Sequence, residues 1–598
     1  MRKIFTCLLV ATFVFVSLAM ATGPKSKPLS LNAKVKKPKV IRGDEEFATI
    51  HTATKLSGGN RTGAIGPGKL LMTSTYDIGS GGGSLTNLVD YGDGTLAFAR
   101  MGATTPAPAT ADRASFFSFF DGTQWTQAFK VETVRRGWTA LGALSDGQNV
   151  IVTHVANEVN VDAQKGLGIF TSSITGYRTA TRSIWPRLAV DGKNNIIIST
   201  TLDGTGFGVS NLKEVSISRD GGTTWTHQAL IPDTSSRKPD FFQDDNAIDT
   251  FGDNVAISAS EVEGDVHLWT SADNGATWTY RNLTNYPADI PVGEDQSRPY
   301  IASEVIYDNA GNVHVFWESL RSTQDIAGTA IESFFDRDYG IQHWSLASGI
   351  TQAASWSSLP GAAQDPDSIL FYAGGPGDQI GANSTLVTQP QAGVDAQGNL
   401  YLVFAALRPG DVDSDTAHFT DIYAVGSKDG GKTWGSPVSL TNSPQSEEMW
   451  PSLADNVGDS LRFIYQSDDE TGNVIFGGGT VPTNVLYYAV DKDIVPLMPS
   501  AVDEHPNATM PGAFALHPSF PNPFNPSTQI AFDLAKAVRV KLSVYDVNGK
   551  LIATLVNNKL EAGTHSITWN ANGQPSGVYF AKLEAEGLSQ VQKMTLVK

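Results

Sequence analysis

The sequence Ser218-Arg219-Asp220-Gly221-Gly222-Thr223-Thr224-Trp225 returns in similar form at 271–278 and at 427–434. All three copies fit S-x-D-x-G-x-x-W. Such an Asp can accept hydrogen bonds from the backbone of its own turn, the Gly permits a positive φ, and the Trp can bury a large surface beside the next strand. The pattern therefore predicts a rigid hairpin turn that repeats along the chain. Its fixed positions are Ser218, Asp220, Gly222 and Trp225; Ser271, Asp273, Gly275 and Trp278; and Ser427, Asp429, Gly431 and Trp434.

Around these turns, residues 66–495 alternate short β-rich runs with Gly, Asp and Asn turns. Seven units begin near residues 85, 138, 185, 246, 298, 389 and 450, and 118–125 is a weakened copy of the motif in the first of them. Four strands in a unit of roughly 40–60 residues is typical of a propeller blade. The last unit has only three strands, so we predict that the run at 70–76 completes it and closes the ring, which removes open sheet edges.

The turn motif resembles the Asp-box of the sialidase-like (BNR-repeat) β-propellers. This resemblance implies an all-β fold. The seven units favour a seven-bladed propeller, and the six blades of the sialidases are the alternative. Asp-boxes lie away from the active site in that family, so the resemblance gives the three motifs a structural role and names no ligand.

Residues 1–21 have the features of a secretory signal peptide: a basic start, an apolar stretch, and Ala19-Met20-Ala21 as the cleavage site. An uncleaved anchor is the alternative. Residues 22–65 are predicted to be a largely disordered linker, since the basic stretch at 22–42 also carries Pro and Ser and lacks aromatic residues; a binding element is the alternative. Cys7 is the only cysteine and lies in the signal. The mature chain is therefore predicted to be exported without disulfides, Cys-ligated metals or a transmembrane segment.

The formal net charge is −18, and both ends of the chain are basic, so the body between them is more acidic than the whole. Such a body repels nucleic acid and anionic membranes. Nucleic acid is therefore excluded as a partner.

The C-terminal part begins with a Pro-rich linker at 496–513. Residues 514–598 then hold several short β runs, with Asn548-Gly549 as a hairpin turn. A module of this size with this many short strands is typical of a small immunoglobulin-like sandwich.

Four motifs in this module, P-N-P-F-N-P-S-T, V-Y-D-V-N-G-K, S-G-V-Y-F and the terminal K-M-T-L-V-K, resemble the C-terminal sorting domain (type A) of the type IX secretion system, which is similar to the FlgD-type Ig-like fold. The resemblance implies passage through the periplasm and release to the outer-membrane surface or the medium, with the type IX machinery as partner. A carbohydrate-binding or adhesive sandwich is the alternative. The sorting motif comprises Pro521, Asn522, Pro523, Phe524, Asn525 and Pro526.

The sialidase resemblance implies an arginine triad, because guanidinium groups bind a carboxylate bidentately. The family's [FY]-R-I-P motif is absent. Arg187 and Arg298 stand at the starts of first strands and could face the channel mouth as binding residues. Ordinary rim arginines are the alternative.

Acid pairs precede three first strands: Asp244-Asp245, Glu294-Asp295 and Glu447-Glu448. Aligned blades would bring them together on one face, where paired carboxylates could serve glycoside hydrolysis or bind Ca²⁺. Solvated acidic loops are the alternative. Asp411, Asp413 and Asp415 begin like an EF-hand loop but lack its later Gly and Glu, and they are the calcium candidates.

No nucleophile context, His cluster, P-loop or dinucleotide fingerprint stands out. We therefore predict a secreted or cell-surface propeller that binds a glycan or a protein without catalysis, with calcium as the one cofactor left open. The first alternative is an exo-acting glycoside hydrolase of sialidase-like type. The second is a structural or adhesive surface protein.

Overall fold

The structure is a computed structural model that describes most of the residues after residue 65. The predicted signal peptide and basic linker lie outside the described residues. Among the residues it describes, no helix is long and apolar enough to cross a membrane. The described residues are 66–76, 79, 85–104, 112–154, 158–174, 183–202, 205–206, 209–233, 239–241, 244–287, 290, 294–324, 331–362, 385–412, 418–471, 483–498, 515–516, 519, 522, 524, 526–534, 538–547, 549–560, 563–585 and 588–597.

The chain divides into two compact units, Met1–Pro499 and Ser500–Lys598. The described part is all-β, and its helices are two single 3-10 turns, Trp356–Ser358 and Lys492–Ile494. The division falls in the predicted Pro-rich linker.

The first unit contains seven sheets of four or five strands among the described residues, and a separate two-stranded hairpin of β12 (Thr205–Gly206) and β13 (Val209–Ser210). The pairing is antiparallel except for one short parallel contact of β30. The sheets follow one another along the chain and are numbered here in that order. Sheet 1 is β2 (Leu88–Asp90), β3 (Leu96–Gly102), β4 (Ala114–Phe120) and β5 (Phe129–Lys130); sheet 2 is β6 (Gly137–Ala143), β7 (Asn149–His154), β8 (Glu158–Asp162) and β9 (Phe170–Ile174); sheet 3 is β10 (Ser183–Val190), β11 (Ile196–Leu202), β14 (Lys213–Ser218) and β15 (Thr226–Ala229); sheet 4 is β16 (Ala247–Phe251), β17 (Asn254–Ser260), β18 (Val266–Ser271) and β19 (Thr279–Asn282); sheet 5 is β20 (Asp295–Tyr307), β21 (Val313–Gln324), β22 (Ile331–Phe334), β23 (Gly340–Ser345) and β24 (Gly349–Ser355); sheet 6 is β25 (Val387–Asp395), β26 (Leu400–Val412), β27 (His418–Ser427), β28 (Val438–Ser439) and β30 (Asn456–Val457); and sheet 7 is β29 (Glu447–Leu453), β31 (Ser460–Asp468), β32 (Thr483–Asp491) and β1 (Lys69–Ser74).

Sheet 7 combines the two ends of this unit. β1 pairs antiparallel with β32, so that Leu70 lies opposite Leu486 and Thr73 opposite Asn484. The run at 70–76 therefore completes the last sheet, as the sequence predicts, and covers an edge that β32 would otherwise expose.

The core lies between neighbouring sheets. The second strands, such as β3, β7 and β11, are buried along their whole length, which explains the apolar runs within their sequences. Ile197 and Val215 of sheet 3 belong to one cluster with Ile257 and Trp269 of sheet 4, and other sheet pairs share similar clusters. Each sheet thus depends on its neighbours for burial.

A second repeated turn, which the sequence analysis did not identify, joins first and second strands. In sheet 3, Asp191 Oδ1 accepts hydrogen bonds from the backbone N–H groups of Lys193 and Asn195, and Oδ2 accepts one from Asn195 Nδ2. Asp308 and Asp395 hold the same turns in sheets 5 and 6. The shared pattern is D-x-x-x-N, a weaker signal than the Trp-containing motif.

The second unit has two antiparallel sheets over its own core. The predicted β runs are present as strands, and the buried side chains between the sheets include Phe532, Leu542, Trp569 and Leu583. One sheet is β33 (Ala515–Leu516), β34 (Ser527–Leu534) and β37 (Gly563–Asn570); the other, in spatial order, is β36 (Leu551–Leu560), β35 (Val538–Asp546), β38 (Gly577–Ala585) and β39 (Leu588–Leu596).

Candidate functional site

Each sheet of the first unit has two ends, and strand register tells them apart. In sheet 3, Ile184 near the start of β10 pairs with Thr201, which pairs with Lys213; Val190 at the end of β10 pairs with Ile196, which pairs with Ser218. We call the end where the first strand begins the proximal end, and the opposite end the distal end. The S-x-D-x-G-x-x-W motif is distal, and the candidate arginines and acid pairs are proximal.

At the distal end the three motifs have one hydrogen-bond pattern. In the first, Asp220 Oδ1 accepts from the Thr224 N–H at 2.8 Å, Oδ2 accepts from the Thr224 hydroxyl at 2.6 Å, and Ser218 Oγ accepts from the Gly222 N–H at 2.8 Å. The motifs at Asp273 and Asp429 repeat these bonds. These bonds lower the pKa of Asp220 to about 2 and act within the turn.

The three motif tryptophans differ in burial although their motifs agree in sequence. Trp434 is 8% exposed and packs against His343, whereas Trp225 and Trp278 are only half-buried. Trp434 is the most buried of the three because sheet 5 supplies both a ring and a hydroxyl group beside it. Trp434 Nε1 donates a hydrogen bond to Thr351 Oγ1 at 3.3 Å.

At the proximal end, five first strands contain a bulge. The register shifts in β6, β10, β20, β25 and β29. In four of them a buried residue has a positive φ between 48° and 59°, which is uncommon for a residue other than Gly. Pro follows three of these four residues. Because Pro has no N–H to donate, it is tolerated at a bulge, where the hydrogen bonds between the strands are interrupted. The four residues are Trp138, Trp185, Gln389 and Trp450.

Buried polar contacts join each neighbouring pair of sheets at the proximal end, and we call them the bridging contacts. They include five charged residues, Arg100, Arg187, Asp244, Asp245 and Glu318. They are Asn87 Nδ2 to Thr139 O (2.7 Å, sheets 1 and 2), Trp185 N to His154 Nδ1 (3.4 Å, 2 and 3), Arg187 Nη2 to Asp244 Oδ1 (2.9 Å, 3 and 4), Ser303 N to Asp245 Oδ1 (2.9 Å, 4 and 5), Gln389 N to Glu318 Oε1 (2.9 Å, 5 and 6), Trp450 N to Gln389 Oε1 (2.7 Å, 6 and 7) and Arg100 Nη1 to Trp450 O (2.9 Å, 7 and 1).

Arg187 does not face a channel mouth. Its guanidinium donates to both the backbone carbonyl and the carboxylate of Asp244, and the residue is 2% exposed. Trp138 Nε1 donates to the other carboxylate oxygen of Asp244. Lys213 lies close by, and burial lowers its pKa to about 7. Arg187 is therefore a bridge between sheets.

Arg298 is also bound within the protein and is 5% exposed. It donates to the carbonyls of Glu263 and Pro287 and to Gln296 Oε1, and it lies over the ring of Tyr286. The structure thus does not bring Arg187 and Arg298 together as two arms of a carboxylate-binding triad.

The acid pairs differ in environment, and two of the three are buried rather than part of solvated loops. Asp244 and Asp245 are at most 1% exposed, and Asp245 accepts hydrogen bonds from Ser260 and Ser303. Glu447 and Glu448 are 4% and 0% exposed, and burial, with the nearby Asp421, raises the pKa of Glu448 to about 8.

The third pair, Glu294-Asp295, is exposed. Asp295 pairs with Arg321 at 2.9 Å, and the same guanidinium contacts Asp336 at 3.0 Å. Arg321 and Asp295 are 33% and 38% exposed. Asp295 and Arg321 lie on β20 and β21, the 13- and 12-residue strands of sheet 5, and Asp336 follows β22. We call Asp295, Arg321 and Asp336 the sheet 5 charge cluster.

The calcium candidates are only partly described. Asp411 accepts hydrogen bonds from the backbone and side chain of Gln445 and contacts Arg408, whereas Asp413 and Asp415 lie outside the described residues. Within the described part of the chain, no group of three or more His, Cys, Asp or Glu side chains is placed to hold a metal ion.

Two buried charged groups at the proximal end, Glu318 in a bridging contact and Lys213 near Asp244, were missed from the sequence. Glu318 accepts hydrogen bonds from Thr388 and Gln389 of the next sheet, and burial raises its pKa to about 8. Glu318 and Lys213 are single charged residues inside strand sequences, and no motif identifies them.

Half of the sorting motif is described. Asn522 Nδ2 donates to Lys593 O at 3.0 Å and its Oδ1 accepts from Thr595 N–H at 2.7 Å. Phe524 is buried against Trp569 and hydrogen-bonds through its backbone to Thr595 and Val597. Asn522 and Phe524 therefore fasten this segment to β39. Pro526 accepts a hydrogen bond from Ala571 N–H, and Pro521, Pro523 and Asn525 lie outside the described residues.

Comparison with known proteins identifies the tail. Residues 519–598 match the family described as the secretion system C-terminal sorting domain. A tail of this kind implies export to the cell surface or the extracellular space, with the type IX machinery as its partner. No curated protein matches the chain.

Several solved structures resemble the chain at low identity. An ulvan lyase of a new polysaccharide lyase family is 11% identical with a TM-score of 0.43, covering 72% of this chain and 97% of that one. PorZ, a surface component of the type IX secretion system of Porphyromonas gingivalis, is 13% identical with a TM-score of 0.32, covering 88% and 61%. The phage phi92 endosialidase is 9% identical with a TM-score of 0.35, covering 71% and 69%. These likenesses assign no ligand and no catalytic residue.

Proposed function

We propose that the protein is an exported, non-catalytic binding protein, in which the seven sheets are the blades of an Asp-box β-propeller and residues 514–598 form an Ig-like sorting domain. Its ligand is an extracellular glycan or protein. One observation carries the proposal: the candidate arginines Arg187 and Arg298 are buried and bound within the protein, whereas the sheet 5 charge cluster is partly exposed.

A sialidase-like reaction needs arginines that are free to bind a substrate carboxylate and carboxyl groups that reach the scissile bond. Arg187 is occupied by Asp244, and Arg298 by the backbone carbonyls of Glu263 and Pro287. Opening either contact would leave a buried charge or buried acceptors without partners, which is costly. This argues against the glycoside hydrolase.

The sheet 5 charge cluster suits recognition. Arg321 holds two carboxylates and remains one-third exposed, so a ligand can contact the guanidinium and both acids together. Such fixed polar groups provide orientation and specificity in glycan and protein recognition. We place the ligand at the proximal end of sheet 5.

The test uses the purified secreted protein on a glycan array and on a panel of fluorogenic sialosides. We expect binding without hydrolysis, and we expect Arg321→Ala to abolish that binding at an unchanged melting temperature. Arg136→Ala is the matched control, because Arg136 forms a comparable ion pair with Glu158 on sheet 2. Turnover of any sialoside would refute the non-catalytic assignment, and equal binding by both variants would refute the place of the site.

A further inference from the structure

The outer face of the four-stranded sheet β36-β35-β38-β39 is basic. Strand pairing places side chains in rows across it: Lys541 lies opposite Glu584, Phe580 opposite Lys593, and Arg539 opposite Lys559. Among the described residues of these rows there are five cations and one carboxylate. The cations are Arg539, Lys541, Lys559, Lys582 and Lys593, and the carboxylate, Glu584, contacts Lys582 at 2.7 Å.

Apolar side chains lie among these cations on the same face. Leu551, Tyr545 and Phe580 follow one another across three strands in a single row that ends at Lys593, and Val591 lies beside it opposite Lys582. Leu551 and Val591 are 48% and 55% exposed. Tyr545 and Phe580 are part-buried on this face, whereas the alternate residues of their strands point to the other face and are buried in the core. We call this set, with the cations, the basic face.

A surface that combines exposed apolar and aromatic side chains with charged ones is typical of protein–protein interfaces. A polyanion such as an acidic polysaccharide would need only the cations, because its binding is mainly electrostatic. Burying Leu551 and Val591 would add apolar contact area that a polyanion does not supply.

We propose that the basic face is a docking surface for an acidic protein surface of the export machinery, with apolar side chains among its cations. The partner's carboxylates lie against Arg539, Lys541 and Lys593, and its apolar groups cover Leu551 and Val591. This inference rests on the proposed export function and names the surface through which the tail acts. Charge complementarity of this kind speeds association and selects partners.

The test measures full-length protein in the medium and in the periplasm of a bacterium with a type IX system. Arg539→Glu with Lys593→Glu should lower the amount in the medium about tenfold or more, with accumulation in the periplasm. Lys428→Glu with Lys432→Glu is the matched control, since it changes the net charge equally at exposed positions of the first unit. Secretion of the first double variant at the level of the control would overturn the proposal.

Two further variants decide the partner class and separate other causes. Leu551→Ser with Val591→Ser should also reduce secretion, whereas unchanged secretion would refute a protein partner and indicate a polyanion. If the Glu variants melt at a lower temperature, Arg539→Gln with Lys593→Gln replaces them and should still reduce secretion. A chain ending at residue 513 distinguishes the two levels: its secretion would refute the export function, whereas its retention with normal secretion of the face variants would refute the basic face alone.

Discussion

Arg187 and Asp244 form a buried ion pair between sheets 3 and 4, with 2.9 Å between Nη2 and Oδ1 and with side chains 3% and 1% exposed. Trp138 of sheet 2 donates a hydrogen bond to the same carboxylate. One carboxylate therefore connects three sheets, and an arginine that resembles a ligand-binding residue in the sequence is a structural one.

Replacing one partner of this pair should be strongly destabilising. Arg187→Met leaves the Asp244 charge buried, and we expect the free energy of unfolding to fall by about 3–5 kcal/mol. Lys193→Met is the control, because its ion pair with Asp253 is more than half exposed and is expected to contribute less than about 1 kcal/mol. Urea denaturation measures both. Equal losses in the two variants would contradict the structural role.

The turn motifs should differ in stability although their sequences agree. Trp434→Ala removes a buried ring and should cost about 3–5 kcal/mol, whereas Trp225→Ala should cost about half as much because that ring is half-buried. Thermal melts with ligand-binding assays provide the measurement. Loss of binding in Asp429→Ala at an unchanged melting temperature would show that the motif belongs to the ligand site.

Glu318 should make stability fall as the pH rises. Burial raises its pKa from 4.5 to about 8 in the folded protein, so its contribution is complete below pH 4.5 and is lost as the pH approaches 8. Glu318→Gln keeps the size of the side chain and cannot ionise. We expect its melting temperature, relative to that of the unchanged protein, to rise between pH 5 and pH 9. Glu584→Gln on the surface is the control, and a difference that is constant with pH would refute this assignment.

The stacked pair His314 and His343 should have the opposite effect. Their Nδ1 and Nε2 atoms are 3.0 Å apart, and burial lowers the pKa of both rings. The unfolded chain then binds more protons, so stability is retained above pH ~6.5 and falls below it, by at most about 1.4 kcal/mol per group and pH unit. His343→Gln should flatten this decrease in urea denaturation between pH 6.5 and 4.5. An unaltered slope would contradict the assignment.

Much of the fold could be predicted because repeated turns mark it. Asp220, Asp273 and Asp429 identify the distal hairpins, and the run at 70–76 lacks a partner in its own part of the sequence, which indicates the closure that β1 makes. These signals are local, since each motif satisfies its own backbone.

The proximal end could not be predicted in the same way. The contact of Arg187 with Asp244 joins residues 57 positions apart, and that of Glu318 with Gln389 joins residues 71 apart. Neither sequence neighbourhood shows whether a charge faces solvent or the next sheet. The Trp-Pro pairs at 185 and 450 did indicate where strands begin. The bulges at these positions depend on the positive φ of each Trp, which cannot be predicted from the sequence.

Cell fractionation of the full-length protein and of a chain ending at residue 513 tests the central claim most directly. The sorting tail has a core of its own, so the shortened chain should keep a folded first unit. We expect the full-length protein at the cell surface or in the medium and the shortened chain in the periplasm with an unchanged melting temperature of the first unit. Equal amounts of both proteins outside the cell would contradict the account.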